Sequence, residues 1–255
     1  MAGNVSRPGT TVSARVLSVL AAFDTDHPAL RLSEIARRAD LPLPTTYRLV
    51  AELTGWGALT RRDDGCYVIG RRLWDLGLLA PVPTSLREAA SPFLHDIHAA
   101  TRATVHLAVR DGLSALYLDR LSGSTSVPVV SRVGSRLPLH ATGVGKVLLA
   151  YAPPDVQAAA MTRLERITPY TITQPGRLQA QLVRARQDGY AQTLEEMSLG
   201  ACSVAVPVLA RSGEVIAALG IVVPSLRRDR NRLVAALQVA AAGIQRSQSS
   251  GPDFH

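Results

Sequence analysis

Over residues 12–23 the apolar side chains Val12, Val16, Leu17, Val19, Leu20 and Phe23 recur along one side of a helix, and Asp24, Asp26 and Pro28 close it. The same period returns over residues 33–40, where Leu32, Ile35, Ala36 and Ala39 face inward and Ser33 is placed to cap the helix. Leu41-Pro42-Leu43-Pro44 makes a turn into a third helix over residues 44–54, which buries Leu49, Val50 and Leu53 before Gly55 and Gly57 stop it. Pro44 suits the first turn there, because the N–H it lacks has no partner inside a helix. The period then falls to two. Residues 58–62 and 66–69 flank Asp63-Asp64-Gly65, and Asp and Gly tolerate the positive φ that a tight hairpin needs. Three helices followed by a hairpin predict a winged helix-turn-helix over residues 11–70; the plainer alternative is a small helical bundle.

Residues 71–79 carry Leu73, Trp74, Leu76 and Leu78 as a further short helix, and Pro81-Val82-Pro83 breaks it, so residues 71–84 read as a linker helix and connector. Beyond the break a helix is predicted over 85–100, then paired strands over 104–110 and 115–121 around Asp111-Gly112, and a third strand over 125–133. Helices follow over 142–150, from Pro153-Pro154-Asp155 onward, and over 177–188. A strand over 190–193, a hairpin of 203–209 with 215–222, and a closing amphipathic helix over 229–246 complete the pattern. The fold class is therefore α+β: a winged helix-turn-helix, then a mixed, mostly antiparallel sheet flanked by helices over 85–246, of the kind sensor domains use. Residues 1–10 read as a flexible tail and 247–255 as a disordered one.

With 47% hydrophobic and 19% charged residues the chain can bury real cores, which excludes a disordered protein. The net charge of +8 favours a polyanionic partner, yet residues 1–80 hold ten arginines against eight acids and account for only +2 of it. Local placement therefore decides. Cys66 and Cys202 lie too far apart in sequence to form a disulfide framework, which points to a reducing setting. No apolar run reaches the roughly 20 residues of a membrane span, and the first residues lack the apolar stretch of a signal peptide, so a cytoplasmic location is expected.

A helix-turn-helix presents the N-terminal side chains of one helix to base edges in the major groove. Here those are Thr45, Thr46, Tyr47 and Arg48. Hydroxyls reach phosphates or bases, a Thr methyl meets a thymine methyl, and a guanidinium forks to guanine or phosphate. Arg61 and Arg62 precede the hairpin turn; alternation sends them to opposite faces, so one of them reaches a phosphate. Arg15, Ser33 and Pro44 complete the candidate DNA-facing set. Arginines on a solvated surface are the ordinary alternative for any of them.

Four stretches carry a further resemblance: Leu32-Ser33-Glu34-Ile35-Ala36, the run from Pro42 to Leu49, the run Leu137-Pro138-Leu139-His140-Ala141-Thr142-Gly143-Val144-Gly145-Lys146, and the run from Gly200 to Val208. Together they resemble the IclR family of bacterial transcriptional regulators, over residues 11–80 and 85–245. The resemblance implies a GAF-like C-terminal domain that binds a small-molecule effector, often a small carboxylate or aromatic acid. It also implies a homodimer or tetramer on a palindromic operator in double-stranded DNA, with no cofactor and no metal. Two positions depart from the family pattern. Pro44 stands where a polar residue is usual, and Thr193 where members that bind small keto acids tend to carry an acid.

Thr142-Gly143-Val144-Gly145 opens a helix, whose unpaired N–H groups and partial positive charge suit an anion without a basic side chain. The candidate effector contacts are Leu137, His140, Thr142, Gly143 and Val144 on that side, facing Thr193, Glu195, Ala201, Cys202 and Ser203. Plainer readings stand beside them: glycines for close packing, His140 as a bonded core residue, Cys202 as a small buried apolar group, and Glu195 and Glu196 as solvated acids. Gly145-Lys146 does not make a phosphate loop, since His140 and Val147 occupy positions that motif needs as glycine and hydroxyl; Lys146 instead caps or pairs within its domain. An enzyme would need His140 or Cys202 beside a base and an orienting group, and no catalytic motif pairs them.

Overall fold

The computed structural model describes residues 11–24, 26–77, 79, 84–123 and 126–247. The two expected tails and the Pro81–Pro83 connector lie outside the described residues, save Ser247. The chain divides into two compact units, Met1–Val82 and Pro83–His255.

The first unit runs α1 (Val12–Ala21), β1 (Ala29–Leu30), α2 (Leu32–Ala39), α3 (Leu43–Trp56), β2 (Leu59–Arg61), β3 (Tyr67–Ile69) and α4 (Arg71–Gly77). Val19, Ile35, Leu49, Val50 and Leu59 form its core. Arg31, not Ser33, caps α2: the Glu34 carboxylate accepts the Arg31 N–H at 2.7 Å, so Ser33 already lies inside the helix and is exposed. Asp40 at φ 53° ends α2, and α3 begins one residue earlier than the pattern predicts, with Pro44 still in its first turn. Gly57 at φ 86° terminates α3, whereas Gly55 lies within it. In the wing, Asp64 Oδ1 accepts the Cys66 N–H at 3.0 Å, and β3 pairs antiparallel with both β2 and the two-residue β1.

The second unit runs α5 (Thr84–Thr101), β4 (Thr104–Asp111), β5 (Ser114–Leu121), β6 (Arg136–Pro138), a single 3₁₀ turn (Leu139–Ala141), α6 (Gly143–Ala150), α7 (Pro154–Met161), α8 (Pro175–Asp188), β7 (Ala191–Leu194), β8 (Cys202–Leu209), β9 (Val215–Val223) and α9 (Arg230–Ser247). Its six described strands lie in the order β6-β5-β4-β9-β8-β7. Every pairing between described strands is antiparallel, so the expected mixture of directions is corrected.

One face of the sheet packs Val105, Leu107, Leu219 and Ile221 against α5 and α9, and the other packs Ala108, Ala205 and Ala218 against α6 and α8. Burial on both faces explains why β8 and β9 read as nearly unbroken apolar runs rather than alternating ones. The strand expected over 125–133 is absent from the described residues 126–133. The third place in the meander is taken by β6, which pairs with β5 from Ser114↔Pro138 to Leu116↔Arg136. Pro128 lacks a ladder donor. Residues 129–131 instead line the sheet's α6 side, with Ser131 buried.

Candidate functional site

In the first unit the start of α3 carries an outward face. Pro44, Tyr47 and Arg48 are exposed and Thr45 is half-buried. Thr46 is the exception and corrects the expectation: it is 0% exposed, and its hydroxyl donates to Pro42 O at 3.1 Å. It stands three and four residues before Leu49 and Val50, which places it on the buried stripe of the same helix. Arg15 of α1 and Thr45 line one groove together with Arg37 and Asp40, so Arg37 joins this surface although the pattern reading passed over it. In the wing, the Arg61 guanidinium lies 5.9 Å from the Tyr67 ring, while Arg62 pairs with Asp64 at 3.6 Å. Asp64 is held below its usual range, chiefly by the Cys66 backbone N–H and partly by Arg62.

In the second unit a cavity opens between the sheet and the first turn of α6, enclosing about 470 Å³ of non-atom space, its mouth included. Seven of the expected effector contacts line it: Leu137, Thr142, Gly143 and Val144 on one side, Thr193, Ala201 and Ser203 on the other. Thr142 caps α6 by accepting the Gly145 N–H at 3.1 Å, and the Gly143 N–H is donated to Ser203 Oγ at 3.2 Å. Lys146 makes the first bond within the helical run, to Thr142 O. Among the described residues this leaves the Val144 N–H as the unpaired donor of the turn. Thr193 and Ser203, cross-strand partners in β7 and β8, bring their hydroxyls to 2.6 Å.

Three expected contacts lie elsewhere. His140 is buried beneath α6 and shares a hydrogen bond with Glu165 O at 2.9 Å, which is the plain core reading. Cys202 faces the opposite side of β8, 3.7 Å from Pro224 O, and burial pushes its thiol up. Strand alternation separates it from Ser203. Glu195, at φ 57°, accepts the Gly200 N–H at 2.7 Å and so clasps the 195–200 loop rather than entering the cavity.

The cavity also gathers residues that the sequence reading did not select: His106, Tyr117, Ser131, Met197 and Ser198. His106 Nε2 is bonded to Ser131 Oγ at 2.7 Å, and its ring meets that of Tyr117 edge to face at 5.0 Å. Burial, with Arg120 alongside, pulls His106 down to about 3, and burial pushes Tyr117 up to about 12. Both rings are therefore neutral near pH 7, and among the described residues no acid, lysine or arginine lines the cavity. Alternation from Thr104 places His106 on this face, a signal the strand pattern did contain; Ser131 was hidden by the strand assigned to its segment.

Behind the cavity wall, Lys146 Nζ lies 2.6 Å from Glu196 Oε1 and 2.6 Å from Gln181 Oε1. Burial pulls the Lys146 ammonium down, and the Glu196 carboxylate works against that. Glu196 is thus a buried partner, not a solvated acid.

A winged helix-turn-helix with a free polar helix face, in one chain with a sheet unit that encloses a neutral, hydroxyl-lined cavity, defines the class of ligand-responsive DNA-binding proteins. Known proteins narrow it. Residues 13–63 match the IclR helix-turn-helix domain, and residues 82–246 match the family described as bacterial transcriptional regulator IclR C-terminal. The chain is 31% identical over 236 residues to the HTH-type transcriptional regulator KdgR of Dickeya chrysanthemi, covering 90% of this chain and 77% of that one. It is 30% identical over 241 residues to the regulator XynR of Escherichia coli K12, covering 93% and 96%. The crystal structure of an IclR homolog complexed with 4-hydroxybenzoate, from Microbacterium hydrocarbonoxydans, superposes with a TM-score of 0.90 at 36% identity, covering 94% of this chain and 100% of that one. The Thermotoga maritima IclR structure gives 0.75 at 29%, covering 92% and 97%. This chain belongs to the IclR family: it is a DNA-binding transcriptional regulator with a C-terminal effector-binding domain.

Proposed function

We propose that the effector is a small aromatic carboxylate, held with its carboxylate at the first turn of α6, and that the regulator works in the cytoplasm as a homodimer on a palindromic operator. The chemistry of the cavity carries this reading. An anion needs donors. The Val144 N–H, the positive end of α6 and the second O–H of the bonded Thr193–Ser203 pair offer them without a fixed positive charge. Leu137, Val144 and Val222 offer an apolar bed for a ring, beside the paired rings of His106 and Tyr117. The Microbacterium hydrocarbonoxydans homologue, bound to 4-hydroxybenzoate, supports the same class.

Calorimetric titration with 4-hydroxybenzoate, benzoate and a short aliphatic keto acid, followed by gel shift on the operator, tests it. The aromatic acids are expected to bind and to change operator affinity by about 5–150-fold, the usual range of such coupling. Binding of the keto acid alone would overturn the assignment. Gly143→Ala is expected to weaken binding, because the added methyl would stand 2.6 Å from Ser203 Oγ.

A further inference from the structure

Lys146 is the only lysine of the chain, and it is 1% exposed. It leaves α6 one turn after the residues that line the cavity, and it meets Glu196 across a sequence separation of 50 residues. Glu196 directly precedes Met197 and Ser198, which form part of the opposite cavity wall. The two walls are therefore tied by an ion pair behind them. The rest of the 195–201 segment is a loop outside the strands, closed by Glu195 on Gly200 and by the Thr168 and Thr171 hydroxyls donating to Glu195 O and Glu196 O at 2.7 Å each.

We propose that Lys146 is a positioning residue for effector binding: by holding Glu196 inside the domain it keeps the 195–201 wall closed on the first turn of α6. The inference rests on the reading of this cavity as the effector site. Its physical basis is the isolation of Glu196. Oε1 is bonded to Lys146, and Oε2 is buried with no hydrogen-bond partner among the described residues. A buried carboxylate that loses its cation is strongly disfavoured. Here the carboxylate sits on a loop, so besides taking up a proton it can swing the loop outward into water, carrying Met197 and Ser198 away from the ligand. The converse loss is milder: with Glu196→Gln, Lys146 keeps Gln181 and gains an amide oxygen, and a buried lysine can shed its proton.

The test compares Lys146→Met, Glu196→Gln, the pair Lys146→Arg with Glu196→Asp, and Leu237→Ala. The last is a core cut on α9, on the other face of the sheet, and serves as a stability control. In the unliganded protein, Lys146→Met should speed amide exchange across residues 197–201 at least tenfold, and Leu237→Ala should leave that segment alone. By calorimetry Lys146→Met should weaken 4-hydroxybenzoate binding at least tenfold, Glu196→Gln less so, and the Arg–Asp pair should recover most of it. Operator affinity without ligand should stay within twofold. Unchanged exchange at 197–201 overturns the inference, as does faster exchange with an unaltered dissociation constant. If the wild-type protein binds no aromatic carboxylate, the effector reading fails, and the exchange result alone decides whether the ion pair holds the wall.

Discussion

His106 shows how one side chain links burial to acid sensitivity. Its ring is enclosed by Tyr117 and Ser131, and Arg120 stands opposite it in the β4–β5 register. An ordinary imidazole titrates at 6.5, whereas this one is pulled down to about 3. Between those values the unfolded chain binds a proton that the folded chain refuses, so folding loses stability as pH falls. The contribution of neutral His106 is complete above pH 6.5 and is lost progressively toward pH 3, at up to about 1.4 kcal/mol per pH unit. Thermal melts between pH 7 and pH 4 are expected to show a steep decline that His106→Gln flattens, at the cost of some stability at pH 7. An equal slope in the variant would show that other groups drive the acid limb. The two glycines of α6 are just as specific. A methyl at Gly145 would stand 2.5 Å from Leu139 O, so this glycine serves packing, whereas Gly143 faces Ser203 and the cavity. Close packing thus accounts for Gly145, while Gly143 borders the cavity.

At the scale of elements, α3 is expected to divide sharply between reading and packing. Arg48→Ala should lower operator affinity by about 1–3 kcal/mol, the worth of a bidentate base contact, with melting unchanged. Thr46→Val keeps the shape of a buried group and removes only its bond to Pro42 O. It should leave operator affinity intact; a loss of affinity without a loss of stability would return Thr46 to the DNA face. That division was legible in the spacing, since 46, 49, 50 and 53 form one stripe, but an N-terminal position drew the hydroxyl into the reading set. The helices and the β4–β5 hairpin were legible because each repeats its period over several turns or pairs, and the β8–β9 hairpin because two apolar runs flank the polar turn Arg211-Ser212-Gly213-Glu214. The two-residue β1 was not, because no period fits in it. Nor was the course of residues 126–135: Val129 and Val130 resemble a strand, but they serve the cavity. The Lys146–Glu196 pair is invisible to any local pattern, since only the assembled sheet unit brings α6 and the 195–201 loop together.

For the whole molecule, the question is how a regulator with one short reading helix per chain selects an operator. A single α3 offers few base contacts, and duplex DNA gives two half-sites one helical turn apart, about 34–36 Å, to a two-fold pair of such helices. The proposed homodimer supplies that pair, and α4 carries an apolar surface suited to it. Trp74 is 64% exposed and Leu76 48%, and Leu79, beyond the end of the helix, is 78% exposed. A large aromatic left in water on a short helix is a candidate anchor for such a pairing. Trp74→Glu with Leu76→Glu is therefore expected to shift the protein toward monomer in light scattering. It should weaken binding to a full palindrome far more than to an isolated half-site, because each helix stays intact and only the pairing is lost. The effector response should weaken with it, since a ligand can alter the fit to two half-sites only where two reading helices are held together. If the variant remains dimeric and binds the palindrome as the parent does, self-association runs through another surface, and the apolar face of α4 must serve a different contact.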